Sequence, residues 1–244
     1  MIRVADLEKH FGTVTAVDGV TFTAPGGSVT GLLGPNGAGK TTTLRMLYGL
    51  MKPDAGSIDV DGIDAIIDPQ RAQARMGVLP DVSGLYARLT AREHIRYYGE
   101  LQGLAGRLLD ARIRDLLAWL DMTAIADRPT GGFSHGERTK VALARALVHD
   151  PPNVLLDEPT NGLDVMSTRS VRDIIRRLRD EGRAVLFSSH VMPEVSALCD
   201  TIVVIAGGRV VASGTPDMLR AQAGRDDLED AFVALVGSDT GDVA

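Results

Sequence analysis

The stretch Gly34-Pro35-Asn36-Gly37-Ala38-Gly39-Lys40-Thr41-Thr42 carries the spacing G-x-x-x-x-G-K-[ST], that of a loop built to wrap phosphate. Its glycines reach backbone conformations barred to other residues and leave N–H groups free to surround an anion. Lys40 is the sole side-chain cation of the stretch and has the reach to meet the β- and γ-phosphates of a nucleotide. The Thr41 hydroxyl is suited to ligate Mg2+. Further along, Asp157-Glu158 closes the apolar run Val154-Leu155-Leu156. In a phosphoryl-transfer site such a pair divides the work: Asp157 holds Mg2+ through its water shell, and Glu158 polarises the attacking water. Taken singly, each has a plainer reading: a glycine-rich turn with a surface lysine, and a solvated acidic turn.

The elements around these groups favour the chemical reading. Ser28 to Leu33 reads as a short buried strand, and Thr42 to Tyr48 as a helix with Leu44, Leu47 and Tyr48 at helical spacing. The glycine loop therefore joins strand to helix, and the helix adds the partial positive charge of its N-terminus. Val154 to Leu156 is short and wholly apolar, as buried parallel strands are, and carboxylates at the carboxyl end of such a strand sit where open α/β sheets bind ligands. Ile2 to Leu7 and Gly19 to Ala24 read as strands, with Phe11 between them; spacing alone assigns Phe11 to core packing. Met51 to Gly62 reads as a hairpin-like arm and Arg75 to Leu79 as a buried strand closed by Pro80-Asp81.

From Val82 to about Gly131 the pattern is helical, with no strand candidate. Thr90-Ala91-Arg92-Glu93 is a capping box opening a helix to Leu101, and Ile113, Leu116, Leu117 and Leu120 share one face of a second helix. Ser134-His135-Gly136-Glu137 is another S-x-x-E box, ahead of an alanine-rich helix to about His149. Helices at Val165 to Arg179 and Val191 to Leu198 alternate with strands at Arg183 to Ser188, Thr201 to Ile205 and Arg209 to Ala212. A polar helical tail follows from Thr215, with Leu228, Phe232 and Leu235 as its apolar stripe.

Composition narrows the classes. The chain has 244 residues, 44% of them hydrophobic, enough for a substantial core. A net charge of −6 argues against nucleic acid as the partner. Cys199 is the only cysteine, so the chain can form no internal disulfide, and a reducing cytoplasmic setting fits. The longest apolar run, Ala231 to Val236, is about six residues against the ~20 that a membrane-spanning helix needs. No export signal is expected at the N-terminus.

Phe11, Gly34 to Thr42, Asp81, Ser134-His135-Gly136-Glu137, Leu155-Leu156-Asp157-Glu158-Pro159-Thr160, Gly162-Leu163-Asp164 and His190 follow one another in an order that resembles the nucleotide-binding subunit of ATP-binding-cassette (ABC) transporters over essentially the whole chain. The resemblance implies an adenine-stacking role for Phe11, Walker A at Gly34 to Thr42, the lid loop at Asp81 and Walker B at Asp157-Glu158. It further implies a signature at Ser134 to Glu137, a D-loop ending at Asp164 and a switch histidine at His190. Asp81 joins Thr41 and Asp157 as a metal residue, and Glu158, His190 and Lys40 are the catalytic set. Two departures stand out. The usual signature is Leu-Ser-Gly-Gly-Gln, whereas this chain has Phe133, His135 and Glu137 in place of Leu, the first Gly and Gln. Glutamine is also commoner than aspartate at the position of Asp81.

The implied fold is α/β: a P-loop NTPase core with a mostly parallel sheet, an N-terminal antiparallel β subdomain and an inserted helical subdomain. The expected divisions are 1–81 and 132–220 for the core with its β subdomain, 82–131 for the helical subdomain and 221–244 for a C-terminal helical tail. The implied function is ATP hydrolysis with Mg2+ by a head-to-tail dimer, here a homodimer, in which Ser134 and Gly136 act on nucleotide bound by the other copy. The dimer would power a separate ABC-2 type membrane permease from its cytoplasmic face, as an exporter of sodium or drugs, and would touch the membrane only through that permease. The tail Asp227 to Phe232 also resembles that exporter branch, and the whole resembles sodium-extrusion subunits most. A single-cassette ABC ATPase without a permease, such as a cofactor-assembly factor, is the alternative. A GTPase reading fails because the chain has no Asn-Lys-x-Asp motif. Lys40→Ala is expected to abolish ATP binding or weaken it below turnover; near wild-type hydrolysis by that variant would remove the assignment of the phosphate loop.

Overall fold

Alternation of apolar and polar residues puts the start of the chain into paired strands. The computed structural model describes residues 1–81 and 84–237. Val82, the expected start of the helical stretch, and residues 238–244 of the expected tail lie outside the described residues. Strands β1 (Ile2–Phe11) and β2 (Val14–Ala24) form an antiparallel ribbon, burying Ile2, Val4 and Leu7 against Val17, Val20 and Phe22. Both strands run further than their apolar spacing indicates. Phe11 is consequently the last residue of β1 and not a linker residue, and at 48% exposure it is no part of the core, which corrects the packing expectation.

The chain then enters β3 (Ser28–Leu33), crosses the glycine loop and forms α1 (Lys40–Leu47). The helix starts two residues before the apolar spacing does, because Gly39, at φ 104°, turns the chain directly into it. The expected arm is a hairpin of β4 (Ala55–Val60) and β5 (Ile63–Asp64), with β4 also antiparallel to β1. The short α2 (Pro69–Gln73), which apolar periodicity does not mark, starts on an Asp68 cap and Pro69 and leads to β6 (Met76–Leu79).

Between β6 and the next strand lie α3 (Ala91–Leu101) and α4 (Gly106–Trp119). Among the described residues of this interval the only strand-like pairing is the isolated Thr90–Pro129 bridge. Ile113, Leu116, Leu117 and Leu120 are buried, as their shared face predicts. The alanine-rich helix α5 (His135–Leu147) packs between these helices and the sheet and leads to β7 (Asn153–Asp157). Then come α6 (Val165–Asp180), β8 (Ala184–Ser189), α7 (Met192–Leu198), β9 (Thr201–Ala206), β10 (Arg209–Gly214), α8 (Pro216–Ala223) and α9 (Leu228–Gly237).

The described strands make two sheets. One has the order β2-β1-β4-β5; the other is six-stranded, β10-β9-β3-β8-β7-β6, and parallel except for the β10–β9 pair. The fold is therefore α/β with a mostly parallel central sheet and an antiparallel sheet packed on it. Side-chain alternation assigns the two faces: Val154 and Leu156 of β7 join the cluster under α5 and α6, while Leu155 joins the cluster with α1 and the antiparallel sheet. Each such fully buried Leu or Val contributes about 1.5–3 kcal/mol, so both faces of the sheet are held by hydrophobic packing.

At the start of α3, Glu93 N–H donates to Thr90 Oγ1 at 3.1 Å and Thr90 N–H donates to Glu93 Oε2 at 2.8 Å. Thr90→Ala removes half of that box and is expected to cost about 1 kcal/mol, seen in thermal unfolding as a fall of roughly 2–4 °C in Tm for a chain of this size. An unchanged Tm would mean that packing alone fixes the start of α3.

Candidate nucleotide site

The phosphate loop gets its shape from its ends. Gly39 adopts φ 104°, and a Cβ there would come within 2.5 Å of the Ala16 carbonyl, so β2 closes over the loop only because the position is glycine. Gly39 also stands at the N-cap of α1 without a side chain to satisfy the helix amides. The first turn of α1 thus keeps its N–H groups for an external anion. Lys40 folds back over the loop, donating to the carbonyls of Gly34 at 2.7 Å and Pro35 at 3.2 Å.

A cavity of about 440 Å3 opens above this loop, lined by residues 36–42 together with Ala16, Asp81, Glu158, Asn161 and His190. Of the residues expected from sequence, the structure brings Asn36, Gly37, Ala38, Gly39, Lys40, Thr41, Thr42, Asp81, Glu158 and His190 around this one space, with Gly34 and Pro35 beneath it. Asp157 lines a smaller adjoining cavity with Asp81, His135 and Glu158.

A carboxylate, an amine and an imidazole meet here. Glu158 Oε2 lies 2.9 Å from His190 Nδ1, and Glu158 Oε1 lies 3.7 Å from Lys40 Nζ. Burial pushes the Lys40 amine below its ordinary pKa, against the pull of Glu158 and Asp157. Burial raises the Asp157 carboxyl, against hydrogen bonds from Ser188 and Thr41. Both shifts mark a site where charges have been stripped of water and bind charged ligands strongly.

Ser188 ties the two acids together. Its hydroxyl donates to Asp157 Oδ1 at 2.6 Å and its oxygen accepts the Glu158 N–H at 3.0 Å. Thr41 donates to the same Asp157 oxygen at 3.1 Å. Asp157 Oδ2, in contrast, is buried without a hydrogen-bond partner among the described residues. An unpaired carboxylate oxygen beside a threonine hydroxyl suits a hard cation such as Mg2+, which takes few protein ligands and fills its shell with water and phosphate oxygens. Among the described residues no group of three or more acidic, histidine or cysteine side chains could hold a metal ion without such help.

The remaining expected residues lie outside the cavity above the phosphate loop. Phe11 does not line the cavity; it sits at the tip of β1, with Lys9 Nζ 5.8 Å from its ring centre. Ser134 and Glu137 form the expected capping box of α5, with Ser134 N–H donating to Glu137 Oε2 at 2.7 Å and Glu137 N–H to Ser134 Oγ at 3.2 Å. Gly136 packs so closely on α6 that a Cβ would strike the Ser167 hydroxyl. His135 Nδ1 is 3.2 Å from the Gly162 carbonyl, and Asp164 caps α6 by accepting from Ser167 N–H at 2.8 Å. Sequence reasoning missed Ala16, Asn161 and Ser188. Ser188 lies on β8, two residues before His190, which follows the end of that strand, a signal for nearness; Asn161 sits in a Thr-Asn-Gly turn shortly after the acids.

A phosphate loop, a carboxylate pair and a histidine at the carboxyl ends of adjacent parallel strands define a P-loop ATPase of the cassette type. Residues 17–161 match the family model described as ABC transporter. The chain is 44% identical over 239 residues to the ABC transporter ATP-binding protein NatA of Bacillus subtilis, covering 96% of this chain and 97% of that one. It is 39% identical to Nod factor export ATP-binding protein I of Burkholderia lata, over 93% of this chain and 75% of that protein. A solved ATP-binding subunit of an ABC transporter superposes with a TM-score of 0.88 at 30% identity, covering 96% of this chain and 99% of the other. The chain belongs to the ABC transporter family and is an ATP-binding subunit, an ATPase coupled to transport.

Its half-exposed ring makes Phe11 a candidate stacking surface and frees it from any duty in the core. Phe11→Ala is expected to weaken ATP and GTP alike, by roughly 1–3 kcal/mol if base stacking in nucleic-acid sites is a guide, and to leave Tm unchanged. Nucleotide titration with a parallel melt decides it; an unaltered dissociation constant would leave Phe11 without a role in binding.

Proposed function

We propose that the chain works as a head-to-tail pair of identical copies closed around two MgATP, and that hydrolysis drives a separate ABC-2 type permease from the cytoplasmic face of the membrane. The observation that carries the paired arrangement is the position of Ser134. Ser134 is exposed and lines neither the cavity that holds Lys40 nor the smaller one beside Asp157, so within one copy it stands outside the phosphate site. Close by, Val165 and Met166 follow the Asp164 cap with 82% and 73% of their surface exposed, an apolar step that a second copy would cover.

Within each cavity the residues divide the work. The loop amides of residues 37–42 and Lys40 bind the phosphates. Thr41 and Asp157, with Asp81 close by, would hold Mg2+, which would neutralise phosphate charge when bound. Glu158 accepts a proton from, or orients, the attacking water, and His190 is placed to donate to the γ-phosphate. Ser134 and the Gly136 backbone complete the site of the other copy, where the N-terminal end of α5 favours an anion.

The permease reading draws on the cleft beside α3, a cavity of about 350 Å3 whose lining includes Leu50, Val78, Pro80, Tyr98 and Gln102. Leu50 is 71% exposed at its edge, and Pro80 lines the cleft while its neighbour Asp81 lines the nucleotide cavity, so a permease segment seated there would sense the nucleotide. Among the described residues no helix is long and apolar enough to cross a membrane. The Nod factor relative is named for export, which supports an exporter, with sodium or drugs as candidate solutes.

Glu158→Gln is the test. Glutamine keeps the size of the side chain and leaves Asp157 and Lys40 in place, so the variant is expected to bind ATP, fail to hydrolyse it and accumulate as a dimer in light scattering with MgATP. Adding Ser134→Arg is expected to return it to monomer by obstructing the contact between copies. A monomeric, ATP-loaded Glu158→Gln chain would count against the paired site, and full hydrolysis would remove Glu158 as the base.

A further inference from the structure

Behind the nucleotide cavity lies a buried acid that no step above uses. Glu194, in the first turn of α7, is 4% exposed. Its Oε2 accepts a hydrogen bond from the hydroxyl of Thr160, itself 7% exposed, and its Oε1 lies 3.8 Å from Arg172 Nη2 of α6. A carboxylate withdrawn from water needs such partners to offset its lost hydration, and apolar packing would be the cheaper way to seat a helix. This one joins three segments: the turn after Glu158, the helix after His190 and the middle of α6.

Both arms of the link are stiff. On one side, Asn161 N–H donates to the Glu158 carbonyl at 3.1 Å and Leu163 N–H to the Thr160 carbonyl at 3.1 Å, so Thr160 moves with Glu158. On the other, Glu194 N–H donates to the Val191 carbonyl at 3.1 Å and Val191 N–H to Ser189 Oγ at 3.0 Å, so Glu194 moves with the segment that carries His190. At the front of the cavity these two segments also meet through Glu158 and His190, 2.9 Å apart. That front contact has to yield when either side chain turns to water or phosphate. The rear contact is buried and touches neither.

We propose that Thr160 and Glu194 are positioning residues for hydrolysis: their rear link fixes the spacing between Glu158 and His190 while the front contact exchanges partners. The inference rests on the roles assigned above to Glu158 and His190. Because the link touches neither the phosphate loop nor Thr41, its loss acts on kcat and not on nucleotide affinity.

The experiment compares steady-state hydrolysis and ATP binding for the full chain and its Thr160→Val, Thr160→Ser and Glu194→Gln variants, with Glu158→Gln as control. Thr160→Val, nearly isosteric but without the hydroxyl, is expected to lower kcat by about tenfold or more, as a misplaced reacting group does, with the ATP dissociation constant within about twofold of wild type. Thr160→Ser, which restores the hydroxyl, is expected to recover kcat. Glu194→Gln keeps the shape and exchanges a charge-assisted bond for a neutral one, giving a smaller fall in kcat of roughly threefold; it carries the test if Thr160→Val does not fold. The double variant should lose less than the product of the single losses, since both cut one link. Variants that melt earlier but keep wild-type kcat per folded molecule would overturn the proposal and make the link merely structural. Wild-type kcat in Thr160→Val with an inactive Glu158→Gln would overturn it while leaving the role of Glu158 intact. Wild-type hydrolysis by Glu158→Gln would overturn that role and the proposal together.

Discussion

The parallel register of β3, β8 and β7 is the constraint on which the rest of the molecule depends. β3 pairs with β8 through Leu33↔Ser189, and β8 pairs with β7 through Asp157↔Ser188. Three chain segments far apart in sequence therefore end level with one another. The phosphate loop leaves β3, Glu158 leaves β7 and His190 leaves β8, all at the same edge of the sheet. A slip of one residue between β7 and β8 would reverse side-chain directions along the strand and take Ser188 away from Asp157.

Hydrophobic packing enforces that register. Along β8, Val185 and Phe187 belong to one buried cluster and Leu186 to the other, so both faces resist slippage. At the strand ends the apolar residues give way to Asp157, Ser188 and Ser189, still buried but polar. Lys40 and Asp157 are held there at an energetic cost that appears in their displaced pKa values. The core thus supplies the stability that lets the edge of the sheet carry desolvated charge.

Much of this was legible in the residues. The glycine loop, the apolar strand before Asp157 and both capping boxes depend on local rules of spacing and side-chain chemistry, and each appears where those rules put it. Phe11 was not legible, because spacing cannot tell a core aromatic from one at an exposed strand tip. Nor were Ser188 and the Thr160–Glu194 bond, since a serine inside a strand and a glutamate in a helix look ordinary until pairing brings their partners alongside. α2 escaped because five residues are too few to show a period, although Asp68-Pro69 is a recognisable helix start.

Glu158 carries a conflict between its backbone and its side chain. It adopts φ 50°, a left-handed conformation that glycine or asparagine takes more readily than glutamate, at a cost of order 1–3 kcal/mol. The Ser188 oxygen that accepts its N–H helps hold it there. Selection for thermal robustness alone would therefore drift this position away from glutamate, and selection for turnover has to hold it against that drift. A descendant of this chain released from catalysis should lose the acid here early, and gain stability in doing so.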